Sequence, residues 1–199
     1  QEETIVTIPS VAKEYSYFSS VNKDILDLIY NGTPESLKTA AYRLHKNVTE
    51  EYTEQEKVLT YVCAAIMQIV WKSEAVTWDI PQINFTNQYI GAIESAKKGI
   101  YDLSTNSSDF LSAILPVLVL VENSNNREYH ELAETAIKRA LELNSTSVLA
   151  NYLGGILAAQ TQSNTLALEY FAKCYKSASD VLEIAIGYSR SRFIDGDYS

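Results

Sequence analysis

The sequence is poor in the residues that interrupt a chain. Its 199 residues include only 7 Gly, 4 Pro and 2 Cys. So few glycines and prolines argue against a loop-rich or disordered protein, because these residues mark turns and irregular segments. The two cysteines, Cys63 and Cys174, both lie among apolar residues of predicted helices. That setting favours two small core residues, and the sequence alone does not establish whether they form a disulfide.

Positive charge and long hydrophobic runs are also scarce. The chain has 16 Lys and Arg against 25 Asp and Glu, a formal net charge of −9. A nucleic-acid backbone would be repelled, and no local basic patch offsets this, so a nucleic-acid partner is excluded. The two most apolar stretches, 58–71 and 110–121, contain polar residues and are shorter than a membrane span. We therefore predict buried core helices there and no transmembrane segment.

Recognisable catalytic patterns are missing from the sequence. The two histidines, His45 and His130, belong to separate predicted helices, and neither has a second His or Cys at a metal-ligand spacing. The pair Gly154-Gly155 lies inside an apolar helical pattern, which favours helix packing over a phosphate-binding turn. We therefore expect a protein that is not an enzyme, with no catalytic residue, no metal and no cofactor.

Helix signals run along the whole chain. Thr33 and Pro34 are suited to the cap and first position of a helix, after a break at Asn31-Gly32. The segment Thr53-Glu54-Gln55-Glu56 fits a capping box. Helices are also predicted over 20–29 and 86–103, with a polar insertion at 72–84 and a helix that Pro116 starts or kinks. In all we count about nine helices in an all-α chain, with parts 1–105 and 106–199 forming one continuous domain.

A sequence repeat appears in the second half. Ala133, Ile137 and Ala140 are followed 34 residues later by Ala167, Phe171 and Cys174. Their spacing of four and then three residues puts the three residues of each set on one helical face. The small residues let a neighbouring helix approach closely, and the large residue fills the space between them.

A 34-residue period with Ala-x-x-x-Phe resembles the tetratricopeptide repeat family. Of the first-helix residues usual in that family, the middle unit keeps only Gly155. Gly196-Asp197-Tyr198 is similar to the turn between the two helices of such a repeat, so we expect the natural protein to continue past Ser199. The resemblance implies an α-solenoid of antiparallel helix hairpins, a non-catalytic scaffold that binds a protein or peptide on its concave face.

The resemblance also implies which residues face the concave groove. The candidates are Tyr152, Ile156, Gln160, Ile186, Arg190, Phe193, Leu118 and Glu122. Arg beside aromatic residues is a composition typical of binding hot spots, although the same residues also suit core packing or surface ion pairs. Trp78, a large aromatic in the polar insertion, is either folded back as a lid or exposed as a contact.

A second resemblance points to a different class of protein. Gly32-Thr33-Pro34, the insertion at 72–82 and the missing initial Met are similar to features of the bacterial tetratricopeptide lipoproteins that accompany TRAP-type transporters. This alternative implies a periplasmic or membrane-anchored protein with a lipid anchor upstream of Gln1. Its partner would be a solute-binding protein or a small apolar ligand. A cytoplasmic location stays open, as does glycosylation of the five Asn-x-Ser/Thr sites at Asn31, Asn47, Asn84, Asn106 and Asn144.

Overall fold

The computed structural model describes residues 20–45, 54–78, 110–111, 113–114, 117–118 and 127–196. Throughout these ranges the regular structure is helical and contains no strand, which confirms the all-α prediction. The helices are α1 Lys23–Asn31, α2 Pro34–His45, α3 Glu54–Ile69, α4 Lys72–Ala75, α5 Arg127–Leu143, α6 Val148–Gln160, α7 Asn164–Ser177 and α8 Leu182–Asp195. The backbone is also helical at 110–111, 113–114 and 117–118. The predicted helix at 86–103 and Pro116 lie outside the described residues.

Local capping chemistry fixes the first two helices. Asn22 accepts a hydrogen bond from the Asp24 amide, so α1 begins at Lys23 rather than at the predicted residue 20. Gly32 caps the C-terminal end of α1: its left-handed φ of 69° favours glycine, and its N–H donates to the Leu28 carbonyl. α2 then begins at Pro34 as predicted, and the Ser36 amide donates to Thr33 Oγ1 at 3.1 Å.

The helices α5 to α8 follow one another through short turns. α6 packs against α5 and α7, α7 packs against α8, and α6 also contacts α8 and α1. The repeated positions are all buried at this packing surface: Ala133, Ile137 and Ala140 on α5, and Ala167, Phe171 and Cys174 on α7. The 34-residue spacing therefore relates equivalent inner faces of two helices.

Two glycines hold the Phe171 ring between α6 and α8. A Cβ added at Gly155 would lie 2.8 Å from Cε1 and Cζ of the ring, and one added at Gly187 would lie 2.7 Å from Cε1 and 3.0 Å from Cζ. Two separate residues at nearly equal distances from the same ring atoms lie on opposite faces of the ring. A Cβ added at Gly154 would similarly lie 3.1 Å from Cε1 and Cζ of the Tyr170 ring. The helix-packing interpretation of Gly154-Gly155 is thus confirmed.

The connection between α1 and α2 is joined to distant parts of the chain. The buried Trp71 indole, at the end of α3, donates from Nε1 to the Gly32 carbonyl at 2.8 Å. Ser147, the N-cap of α6, donates from Oγ to the Tyr30 carbonyl at 2.6 Å. A Cβ at Gly32 would also overlap the Leu149 side chain of α6. These contacts connect the first helices to the later ones through one hydrophobic core.

Both cysteines are free and buried in this core. Burial raises the pKa of Cys63 and of Cys174 to about 12, because the thiolate would lose its hydration. Cys174 Sγ donates to the Val148 carbonyl at 3.5 Å. The expectation of two core thiols is confirmed. None of the described helices combines the length and the apolar character needed to cross a membrane.

Candidate functional site

The predicted groove residues fall into two environments. Ile186 and Phe193, both on α8, have 57% and 66% of their surface exposed, and Arg190 between them is exposed too. The others lie deeper: Tyr152 and Leu118 are buried, and Ile156, Gln160 and Trp78 are half-buried. Glu122 lies outside the described residues. The structure therefore brings three of the candidates together on one accessible helix.

Tyr152 lies under the chain's own Trp71. The two ring centroids are 4.8 Å apart, and on its other side Tyr152 meets the Phe171 ring edge-on at 5.7 Å. Burial, together with the nearby Glu183 carboxylate, raises the pKa of Tyr152 to about 12. Trp71 was not among the candidate residues predicted from the sequence. Its position after an apolar helix and before a polar insertion was the sequence signal that could have indicated a buried Trp71.

A side-chain clasp connects the predicted insertion to α8. Glu183 Oε1 accepts hydrogen bonds from the Ser73 amide at 2.8 Å and from the Ser73 hydroxyl at 2.7 Å. Since Ser73 is in the first turn of α4, the carboxylate satisfies an amide that the helix itself leaves unpaired. The insertion expected at 72–84 therefore starts with a short helix held against the first turn of α8. Trp78 then packs partly against the core.

An apolar stripe runs along the outer side of α8. Leu182, Ile186 and Phe193 are separated by four and seven residues, so they share one face of the helix. The opposite side faces the molecule: Ile184 and Ser191 are buried there, and Gly187 contacts Phe171. We call Leu182, Ile186 and Phe193 the α8 stripe. Leu182, with 55% of its surface exposed, was not among the predicted residues.

Positive charge borders the α8 stripe. Arg190 is exposed beside it, and the Arg192 guanidinium lies 5.7 Å from the centre of the Tyr188 ring. Tyr188 in turn stacks on Tyr175 of α7 at 4.6 Å. Within a chain of net charge −9, α8 carries Arg190 and Arg192 against Glu183 and Asp195, so this helix has no net charge. The surface combines apolar area with guanidinium donors, a composition suited to an acidic amphipathic segment.

Comparison of the chain with protein-family models, with curated proteins and with solved structures finds no match in any of the three. The described residues also contain no group of three or more His, Cys, Asp or Glu side chains placed to hold a metal ion.

Proposed function

We propose that this protein is a non-catalytic scaffold of the tetratricopeptide type and that it binds a partner protein through the α8 stripe. The observation that carries the proposal is the row of exposed apolar side chains at helical spacing, Leu182, Ile186 and Phe193. Contiguous exposed apolar area on a well-packed helix is typical of an interaction surface.

The packing of the C-terminal helices supports the scaffold part of the proposal. Residues 34 positions apart on α5 and α7 occupy equivalent buried faces, as stacked helix pairs require. The Gly187–Phe171 contact holds α8 closely against α7. A partner would therefore meet a preorganised helix, and little binding free energy would be lost in ordering it.

The chemistry of the surface supports an acidic amphipathic helix as the partner segment. Apolar residues of such a helix would cover Ile186 and Phe193, and its carboxylates would pair with Arg190. Tyr152, by contrast, is covered by Trp71, so contact at that position would require Trp71 to move. The proposed binding surface therefore lies on α8 and not on the middle helix α6.

Site-specific photo-crosslinking tests the proposal. A photoreactive phenylalanine analogue would replace Ile186 in one variant and Leu132, an exposed residue of α5, in a matched control. We expect the first variant, in its native organism, to capture one dominant protein that the control does not capture. Equal capture by both variants, or no capture at Ile186, would contradict the proposal.

The captured partner then allows a quantitative test. Arg190→Glu should weaken its binding by about tenfold or more, because a favourable charge pair becomes repulsive. Phe193→Ala should weaken binding by about 2 kcal/mol if the ring is a hot spot. Both side chains are exposed, so the melting temperature should stay unchanged. A variant that melts early would show a structural role for that residue and contradict the assignment.

A further inference from the structure

The outward face of α8 has the residue spacing of a coiled-coil seam. Leu182, Ile186, Ser189 and Phe193 follow one another at intervals of four, three and four residues, and all four are exposed. Apolar residues at alternating intervals of three and four form the line along which two helices pack in a coiled coil. The α8 stripe therefore supplies three of the four seam positions, and Ser189 is a small polar residue at the remaining one.

The buried face of α8 lies opposite this seam. Ile184 and Ser191 are both buried and are seven residues apart, so they lie on the same side of the helix. In a seven-residue helical pattern their positions are the ones farthest from the seam. The seam is thus the side of α8 that faces away from the core, along which a second helix has room to pack.

Opposite charges flank one side of the seam. Glu183 is in the first turn of α8, and Arg190 follows seven residues later on the same side of the helix. The other acidic residue of α8, Asp195, accepts a hydrogen bond from Thr165 Oγ1 of α7 at 3.4 Å and does not belong to the seam. This side of the seam is therefore negative near the beginning of α8 and positive in its second half.

Such a charge distribution is complementary to itself when two copies of α8 run in opposite directions. A two-fold axis that reverses the helix direction brings the same side of both seams together, so Glu183 of each copy lies near Arg190 of the other. Glu183 keeps its hydrogen bonds to Ser73, and the attraction acts across the interface. A parallel pair would instead bring Arg190 to the side that carries Arg192, and the two guanidinium groups would repel each other.

The seam residues also fit an antiparallel pair. With the two-fold axis between residues 187 and 188, Leu182 of each copy lies opposite Phe193 of the other, and Ile186 lies opposite Ser189. The small Ser189 leaves space for the branched Ile186. Leu182 would cover the Phe193 ring, which has 66% of its surface exposed in the single chain. Pairing therefore removes from water the apolar area that each copy exposes by itself.

We propose that the protein forms a weak antiparallel homodimer in which α8 of a second copy covers the α8 stripe. A contact along one helix of 14 residues, about 21 Å long, is smaller than the interfaces of about 800 Å² per partner that hold stable complexes, so the dimer is transient. The inference rests on the proposed function in one respect, since the second copy and the partner protein compete for the same stripe. The homodimer would shield the stripe whenever the partner is absent.

Sedimentation equilibrium of the purified chain tests the dimer with no partner present. We expect a reversible monomer–dimer equilibrium between micromolar and millimolar concentration. Ser189→Leu completes the apolar seam and should tighten the dimer by about tenfold or more, because two additional leucines become buried in each dimer. A native chain that stays monomeric at millimolar concentration, or a dimer that Ser189→Leu does not tighten, would overturn the proposal.

Two charge reversals on the same helix test the antiparallel register. Arg190→Glu places like charges together on both sides of the two-fold axis, so it should weaken the dimer by about tenfold or more. Arg192→Glu changes the net charge by the same amount but lies across from Ala185 of the other copy, so it should weaken the dimer much less. Equal losses would indicate a general charge effect and overturn the register. Circular dichroism confirms that each variant is folded.

Cysteine trapping tests the direction of the two helices. Leu182→Cys and Phe193→Cys chains, oxidised with copper–phenanthroline, should form a disulfide when the two variants are mixed and little when either is alone, because these positions meet only in an antiparallel pair. The native thiols of Cys63 and Cys174 are buried and do not compete. Disulfides formed by each variant alone, or no mixed disulfide by mass spectrometry, would contradict the antiparallel dimer.

The homodimer and the proposed partner binding fail in different experiments. A chain that dimerises, while photo-crosslinking at Ile186 captures only a second copy, would support the homodimer and contradict the proposed function. A chain that stays monomeric in sedimentation, while photo-crosslinking captures a different protein, would overturn the homodimer and support the proposed function.

Discussion

The Gly155→Ala substitution tests the packing of α6, α7 and α8 most directly. The new Cβ would lie 2.8 Å from two atoms of the Phe171 ring. The ring has little room to retreat, because the Gly187 backbone lies so close to its other face that a Cβ added there would be 2.7 Å from Cε1. Something in the core must therefore shift, either the ring from its rotamer or one helix from the other.

Two opposing free-energy terms set the expected result. Alanine in place of glycine stabilises a helix interior by about 1 kcal/mol. Overpacking a tight core costs about 1–3 kcal/mol. With a rigid ring held from both sides, the upper part of that range applies, so we expect a net loss of about 1–2 kcal/mol. For a chain of this size that lowers the melting temperature by roughly 3–6 °C.

Urea denaturation followed by circular dichroism measures the effect, and a double-mutant cycle isolates its cause. Phe171→Leu removes the ring atoms that the methyl group overlaps. In that background Gly155→Ala should become neutral or stabilising by about 1 kcal/mol. Ala159→Gly, on the exposed side of the same helix, should cost about 1 kcal/mol and measures propensity alone. If Gly155→Ala stabilises the native chain, the ring is not held between the helices.

Three further predictions concern two long-range hydrogen bonds and the two buried cysteines. Trp71→Phe keeps an aromatic ring but removes the donor to the Gly32 carbonyl. We expect the free energy of unfolding, measured by urea denaturation, to fall by about 1–3 kcal/mol. An unchanged urea midpoint would show that this hydrogen bond is dispensable. Glu183→Ala should speed hydrogen exchange at the Ser73 amide while amides within α7 stay protected; exchange at the native rate would mean that the clasp is not formed. Both thiols have pKa values raised from 9 to about 12, so the folding free energy they contribute is complete below pH 9 and lost as the pH rises toward 12. Replacing both cysteines by alanine should flatten this alkaline loss, and an equally steep curve would assign it to other groups.

Local sequence signals predicted the helix boundaries where capping chemistry decides them. Thr33 and Pro34 start α2 because a hydroxyl acceptor and a fixed φ act within one turn. The 34-residue spacing was also informative. The residues that it relates are buried, because the repeat marks the side of each helix that packs against its neighbour.

Contacts between distant segments could not be predicted in this way. Trp71 lies 39 residues from its hydrogen-bond acceptor Gly32, and Ser73 lies 110 residues from Glu183. Helical periodicity concerns neighbours three or four positions away and carries no information on such pairs. On α8, apolar residues two positions apart face opposite ways, Ile184 inward and Ile186 outward. Which of them meets solvent depends on the helices already in place, and not on the pattern itself.

The long-range hydrogen bonds to the Tyr30 and Gly32 carbonyls bear on the order in which the protein folds. The helices α6, α7 and α8 contact their neighbours in sequence, so they can assemble by closing short loops. The Ser147 hydroxyl, however, meets the Tyr30 carbonyl across 117 residues. Closing so long a loop is entropically costly until much of the core exists. During synthesis the Tyr30 carbonyl therefore lacks its Ser147 partner until α6 has left the ribosome, whereas Trp71, the partner of the Gly32 carbonyl, emerges earlier.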